Sequence, residues 1–228
     1  FKERKGPVVL LIMDGVGIGK AADYNAVYKA NTPYLDELQK STLYCQLKAH
    51  GKAVGMPTDD DMGNSEVGHN ALGAGRVFSQ GASLVNDAIE SESIFESSTW
   101  QNIISITKGK TKGTLHLMGL LTDGNVHAHT RHLKKLISHS AKAGIHRLRL
   151  HLLLDGRDVD ERSALRYLEE IESLLSEINQ HTDNDYSIAS GGGRMITTMD
   201  RYNADWTIVK RGWDAHVLGK APQFPTAA

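Results

Sequence analysis

At 228 residues the chain can form one large domain or two small ones. Its 26 basic and 27 acidic residues leave a formal net charge of -1, which gives no sign of a nucleic-acid-binding or membrane-binding face. A single cysteine, Cys45, excludes an internal disulfide framework, fits a reducing compartment and reads as a core thiol.

The opening FKERKGPVVLLIMDG lacks the segment order of a signal peptide, and no apolar run in the chain is long enough to span a bilayer. Both ends read as cut, because the chain starts on Phe1 and stops in the loop-like APQFPTAA. Val8 to Met13 is continuously apolar between Gly6-Pro7 and Asp14-Gly15, the pattern of a central parallel strand. Asp14 then stands at a strand's carboxyl end, where α/β folds place their ligands, although a lone Asp-Gly is more often an Asx-turn. DGVGIG is not a dinucleotide fingerprint, because the residue three beyond Gly17 is Lys20. Thr32 and Pro33 predict a helix start with Tyr34, Leu35 and Leu38 on its buried face, and Leu43 to Leu47 predicts another strand.

Asp59, Asp60 and Asp61 crowd into a turn ahead of Gly63-Asn64-Ser65. Val67, Ala71 and Leu72 follow at helical spacing, so Asn64 or Ser65 sits in a first turn and Gly73 and Gly75 close the helix. In isolation Ser65 reads as part of a helix cap, but a helix N-terminus is also a natural seat for an oxyanion or phosphate. A serine nucleophile needs a base or a metal. His69, one turn on, could serve as the base or simply pack. Asp14, a hard anionic ligand, favours the metal route through Mn²⁺ or Mg²⁺, yet one aspartate and one serine do not fill an octahedral shell.

From about residue 83 the pattern changes. Helices are predicted at 83–92 and 99–107, then an alternating series: strand 114–121, helix 130–143, strand 147–154, helix 160–179, strand 187–189 and a helix near 201–209. Leu165, Leu168, Ile171, Leu174, Leu175 and Ile178 make the apolar face of the longest helix. This predicts a second, doubly wound domain with a parallel sheet. Its strands end in TDGNVHAH, DGRD and SGGGR, which brings Asp123, His127, His129, Asp155, Arg157, Asp158, Arg194 and, further on, Arg201 to one edge. Any one of these arginines would usually be a surface ion pair, but three strand ends with such groups predict an anion site. Gly191 to Gly193 read as a close backbone approach to a ligand or as a loose turn.

VVLLIMDGVGIG, PTDDDMGNSEVGHNALGAGRV, VHAHTRHL, HLLLDGRDV, GGGRMITTMDRY and Trp206 together resemble the cofactor-independent (2,3-bisphosphoglycerate-independent) phosphoglycerate mutases, over nearly the whole chain. The resemblance implies an α/β fold in which part of an alkaline-phosphatase-like metal-binding domain, residues 1–82, is followed by most of an inserted doubly wound phosphotransferase domain, residues 83–228. It implies interconversion of 3-phosphoglycerate and 2-phosphoglycerate in glycolysis and gluconeogenesis, through a phosphoserine on Ser65. Two divalent ions (Mn²⁺, Mg²⁺ or Co²⁺) would be needed, but no 2,3-bisphosphoglycerate. Asp14 and Ser65 correspond to metal ligands, and His127, Arg157, Asp158, Arg194 and Arg201 to substrate-binding residues. Val16 replaces a tryptophan common in the family, and the Arg194 to Arg201 spacing is long for many members, implying a local insertion. Family members are about twice this length, so the remaining ligands would lie in a carboxy-terminal remainder. The piece alone is expected to be inactive, and the complete enzyme cytoplasmic and monomeric. The alternatives are a metal-dependent phosphatase of the same superfamily and a non-catalytic phosphometabolite-binding module.

Overall fold

The computed structural model describes residues 5–111, 113–198 and 205–227. They fall into two compact units, 1–48 and 49–228. The first carries two short helices, α1 (Ala26–Lys29) and α2 (Pro33–Gln39). Asn25 caps α1 by accepting from the amides of Val27 and Tyr28. Thr32 occupies the cap position of α2, but its hydroxyl donates to Asp36 instead of receiving a backbone amide.

Several expectations fail in this unit for one reason: none of its described residues is buried. Val8 to Met13 pairs with no strand, and Val8 is 81% exposed. The predicted strand at Leu43 to Leu47 is likewise unpaired, and Cys45, expected in a core, is exposed. Helix α2 forms where predicted but has no buried face, with Tyr34 and Leu38 both exposed. An apolar run signals that a segment favours burial; the ladder that would bury it requires partners distant in sequence.

The second unit begins with a 3₁₀ turn at Gly51–Val54 and continues through α3 (Ser65–Ala74), α4 (Gly81–Glu90), α5 (Ser93–Glu96) and α6 (Ser98–Thr107). Then come β1 (Leu115–Leu121), α7 (Thr130–Lys142), β2 (Arg147–Leu154), α8 (Ala164–His181), β3 (Asp185–Gly193), α9 (Arg194–Thr197) and α10 (Trp206–His216). The sheet is parallel throughout, in the order β1-β2-β3. Strand β2 alternates polar and apolar residues, and Leu148, Leu150 and Leu152 bury its apolar face. Ile137 of α7 and Ile171 of α8 complete that core without measurable exposure.

Helix α8 starts later than expected, at Ala164, and Leu165 is exposed while Tyr167 is buried in its place. Strand β3 runs on through Gly191, Gly192 and Gly193, which pair with Leu152, Leu153 and Leu154, so the glycines are sheet and not a turn. An irregularity at Ala189 brings Ser190 opposite His151. His116, His151, Ser190 and His216 consequently form a single file of hydrogen bonds across β1, β2, β3 and α10, with separations of 2.7 to 2.8 Å. The sequence-predicted helix near 201–209 lies partly outside the described residues; its described portion belongs to α10.

A smaller core of Val54, Met56 and Val67 joins the Ser65 segment to α4. Gln80 and Ser83 donate to the carbonyls of Val54 and Gly55, and Asn86 of α4 accepts from Arg131 and lies against His132 of α7. The nucleophile candidate and the parallel sheet thus belong to one packed unit.

Candidate functional site

The carboxyl ends of the three strands converge as the pattern predicted. Behind β2, Asp155 turns the chain by accepting the amides of Arg157 and Asp158 at 3.2 and 3.1 Å. The same oxygen receives Arg194 at 2.8 Å, and the same guanidinium nitrogen lies 2.8 Å from the second carboxylate, Asp158. The Arg194 side chain is 4% exposed and that of Asp155 is 1%. Arg194 therefore joins the end of β3 to the loop after β2 as a buried, charge-assisted clamp. Asp155 Oδ2 and Arg194 Nε are also buried, with no hydrogen-bond partner among the described residues.

His127 reaches this clamp from the loop after β1, with Nε2 at 3.8 Å from Asp158. Arg157 is exposed at the rim, with Nη1 3.9 Å from the sulfur of Met195. The two loops run close together, since a Cβ on Gly124 would stand 3.1 Å from the Asp158 carbonyl oxygen. His129 serves the fold directly, because its Nδ1 caps α7 by accepting the Arg131 amide at 3.0 Å. Burial, followed by the charge of Arg131, pushes its pKa below the ordinary value.

Two contacts at this edge were not legible in the sequence. Asp123 accepts from the buried Tyr167 hydroxyl and from Arg166 at 2.9 Å, which fastens the β1 loop to α8. Burial and the hydrogen bond to Asp123 push the Tyr167 hydroxyl pKa up. On the other side, Asn125 Nδ2 donates to Asp61 at 2.6 Å. Burial alone would raise the Asp61 pKa, but the hydrogen bonds from Asn125 and Thr58 hold it below the ordinary carboxylate value. The one available sequence signal was Asn125 itself, a residue type that tolerates the left-handed conformation it adopts, φ 55°.

Ser65 opens α3 and is exposed, with Asn64 capping the helix through the Val67 amide at 2.9 Å. His69 Nδ1 lies 3.2 Å from the Ser65 hydroxyl but 2.6 Å from the Ser65 carbonyl. A carbonyl can only accept, so this nitrogen carries a proton and is in no position to take one from the hydroxyl. Gly63 is held close to the backbone, since a Cβ there would meet the Ala49 carbonyl oxygen at 2.3 Å.

Over residues 85–228 the chain matches the family described as BPG-independent PGAM N-terminus (iPGM_N). The chain belongs to this family. A Leptospira interrogans protein named "Probable 2,3-bisphosphoglycerate-independent phosphoglycerate mutase" is 50% identical over 229 residues, covering 100% of this chain and 41% of that protein. The 2,3-bisphosphoglycerate-independent phosphoglycerate mutase of Trypanosoma brucei brucei is 49% identical, covering 96% of this chain and 40% of its own length. Among solved structures, Leishmania mexicana phosphoglycerate mutase at low cobalt concentration superposes with a TM-score of 0.86 at 51% identity, across 95% of this chain and 39% of that one. This iPGM_N chain thus spans about two fifths of the length of the curated relatives it matches.

Of the expected site residues, the second unit gathers His127, Arg157, Asp158 and Arg194 at one edge, and Ser65 stands in the same unit. Asp14 lies in an exposed turn of the first unit, and Arg201 lies outside the described residues. The oxygen donors of Asp14 and Ser65 suit a hard divalent cation in kind but not in number. Among the described residues no group of three or more His, Cys, Asp or Glu side chains is arranged to hold a metal ion. No helix among them is long and apolar enough to cross a membrane.

Proposed function

We propose that the chain is the amino-terminal part of a cofactor-independent phosphoglycerate mutase, a cytoplasmic isomerase that interconverts 3-phosphoglycerate and 2-phosphoglycerate without 2,3-bisphosphoglycerate. In this reading residues 1–82 begin an alkaline-phosphatase-like metal-binding domain and residues 83–228 form most of an inserted, doubly wound phosphotransferase domain. The carboxy-terminal remainder is the partner that completes both. The observation that carries the reading is the clamp at the sheet edge, where buried Arg194 holds Asp155 and Asp158 while His127 and Arg157 stand at its rim. Simple hydrolysis of a phosphate ester has no use for a second surface that retains the dephosphorylated product.

In this reading Ser65 is the phosphoryl acceptor, a role supported by its position at the start of α3. The Ser65 hydroxyl gives up its proton as its oxygen forms a bond to phosphorus and the bond from phosphorus to the substrate's C3 oxygen breaks; the C3 oxygen takes up a proton, leaving glycerate. The positive end of the helix dipole at the first turn of α3 favours the negative charge gathered there. Glycerate then stays on the sheet edge, with Asp158 accepting from its hydroxyls and Arg157 and Arg201 meeting its carboxylate. Arg194 fixes the Asp158 carboxylate in place. The C2 hydroxyl gives up its proton and its oxygen bonds phosphorus as the bond to the Ser65 oxygen breaks; the serine oxygen takes up a proton. Of two divalent cations, one would take Asp14 and Ser65 as ligands from this chain and the remaining ligands from the carboxy-terminal remainder; when bound, the cations would lower the serine pKa and neutralise phosphoryl charge.

The test uses the complete enzyme with 3-phosphoglycerate, following phosphorus products by NMR. The expected result is 2-phosphoglycerate as the main product, with turnover abolished in Ser65→Ala. Free phosphate as the main product would overturn the mutase reading in favour of a phosphatase. The 228-residue polypeptide alone is expected to show no turnover above its own Ser65→Ala control.

A further inference from the structure

We infer that Asp61 and Asn125 are a positioning pair that decides whether the phosphoryl group on Ser65 is returned to the retained substrate or lost to water. The inference rests on the mutase reading. Its basis is a hydrogen bond between two segments 64 residues apart, each of which carries a reacting or retaining group a few residues further on.

Both sides of the pair are held rigidly. The second Asp61 oxygen accepts the Thr58 amide at 2.7 Å and the Thr58 hydroxyl at 2.8 Å, while the Asp61 carbonyl accepts from the Gly51 amide at 3.1 Å. Two residues on, Gly63 fits against the 49–50 backbone, and Asn64 then caps α3 at Ser65. A displacement of Asp61 is therefore passed to Ser65 through a short segment with few free torsions. Asn125 is 8% exposed and sits in a left-handed turn, two residues before His127 and four before the cap of α7. The loop around it is closed from the other side by Asp123, through Tyr167 and Arg166. The 2.6 Å bond from Asn125 to an ionised carboxylate thus joins the Ser65 segment to the edge that would retain glycerate.

Transfer back to a hydroxyl requires that hydroxyl within reach of phosphorus before water arrives, and a displacement of about 1 Å can cost on the order of 10²-fold in rate. Hydrolysis is far less demanding: any water can bond to phosphorus, the bond to Ser65 oxygen breaks, and the serine oxygen takes a proton. Breaking the pair should slow return more than it slows loss.

The experiment compares complete wild-type enzyme with Asn125→Asp, Asp61→Asn and the swapped double variant, all acting on 3-phosphoglycerate. The ratio of free phosphate to 2-phosphoglycerate is measured beside kcat and KM. Asn125→Asp, which sets two carboxylates face to face, is expected to lower kcat for 2-phosphoglycerate at least tenfold, to raise the free-phosphate ratio at least tenfold, and to change KM by less than threefold; Asp61→Asn, in which the Asn125 carboxamide can turn its oxygen towards the new donor, is expected to act in the same direction by a smaller factor. The swapped pair keeps a donor facing an acceptor, since the carboxamide introduced at position 61 can donate across the loop while its oxygen accepts from Thr58. It is expected to bring the ratio back towards wild type. A single variant that unfolds while the swapped pair folds and turns over supports the pair as well. Unchanged ratios in both single variants, a fall in rate with no change in ratio, or no rescue by the swap would overturn the inference alone. A wild type that makes no 2-phosphoglycerate would overturn it together with the mutase reading.

Discussion

Replacing Arg194 by Met removes the cation from the most deeply buried ion cluster of the sheet edge and leaves its volume nearly filled. The Asp155 carboxylate, whose side chain is 1% exposed, would then keep only two backbone amides, at 3.2 and 3.1 Å. Asp158 can rehydrate more readily, its side chain being 15% exposed. Breaking a buried pair from one side costs about 3–5 kcal/mol, and the two remaining amides place this case near the lower end, about 3 kcal/mol. At about 2–4 °C per kcal/mol for a chain of this size, the melting temperature should fall by about 6–12 °C. Urea unfolding followed by far-ultraviolet circular dichroism measures the free-energy cost. Adding Asp155→Asn removes the stranded charge while keeping an acceptor for the turn, so the double variant should recover at least half of the loss. A cost below about 1 kcal/mol for Arg194→Met, or no recovery in the double variant, would show that the cluster does not depend on pairing.

Three further outcomes follow from other contacts. Burial, then the charges of His116 and His216, hold the His151 pKa below its ordinary value of 6.5. Below about pH 6.5 the unfolded chain therefore binds more protons, so this stabilisation is complete above that pH and is lost as pH falls through the lower folded value. The melting temperature should drop between about pH 7.5 and 5.5, and the drop should shrink in His151→Gln. Gly63→Ala would drive a methyl group into the Ala49 carbonyl oxygen at 2.3 Å, so the start of α3 must shift. In the complete enzyme this should reduce Ser65 phosphorylation at least tenfold, measured by mass spectrometry under turnover. Tyr167→Phe deletes the hydroxyl between Asp123 and Arg166 and should cost about 1–2 kcal/mol in urea unfolding.

The parallel sheet and its polar edge were legible because strand and helix periods alternate cleanly from residue 114 onwards and the strand ends hold unlike residues in like places. Strand β2 was read with its observed bounds. Local pattern could not reveal what each charged group would meet. Arg194 read as a ligand clamp and is found holding two carboxylates of its own fold, one of them 39 residues away. The Asp61–Asn125 bond spans 64 residues and leaves no trace in spacing. Gly191 to Gly193 read as a close backbone approach to a ligand or as a loose turn, and neither reading included the strand they form, because backbone pairing with β2 needs no side chain. The first unit shows the opposite failure, since its apolar run was recognised while the partners that would make it a strand were not in reach of the pattern.

That exposed run from Val8 to Met13 has a consequence for handling the polypeptide. A continuous apolar segment that pairs with no strand among the described residues offers a template on which a second copy can lay the same residues. Association of this kind is second order in protein while unfolding is first order. The working life of the isolated chain should therefore depend on its concentration, with dilution extending it.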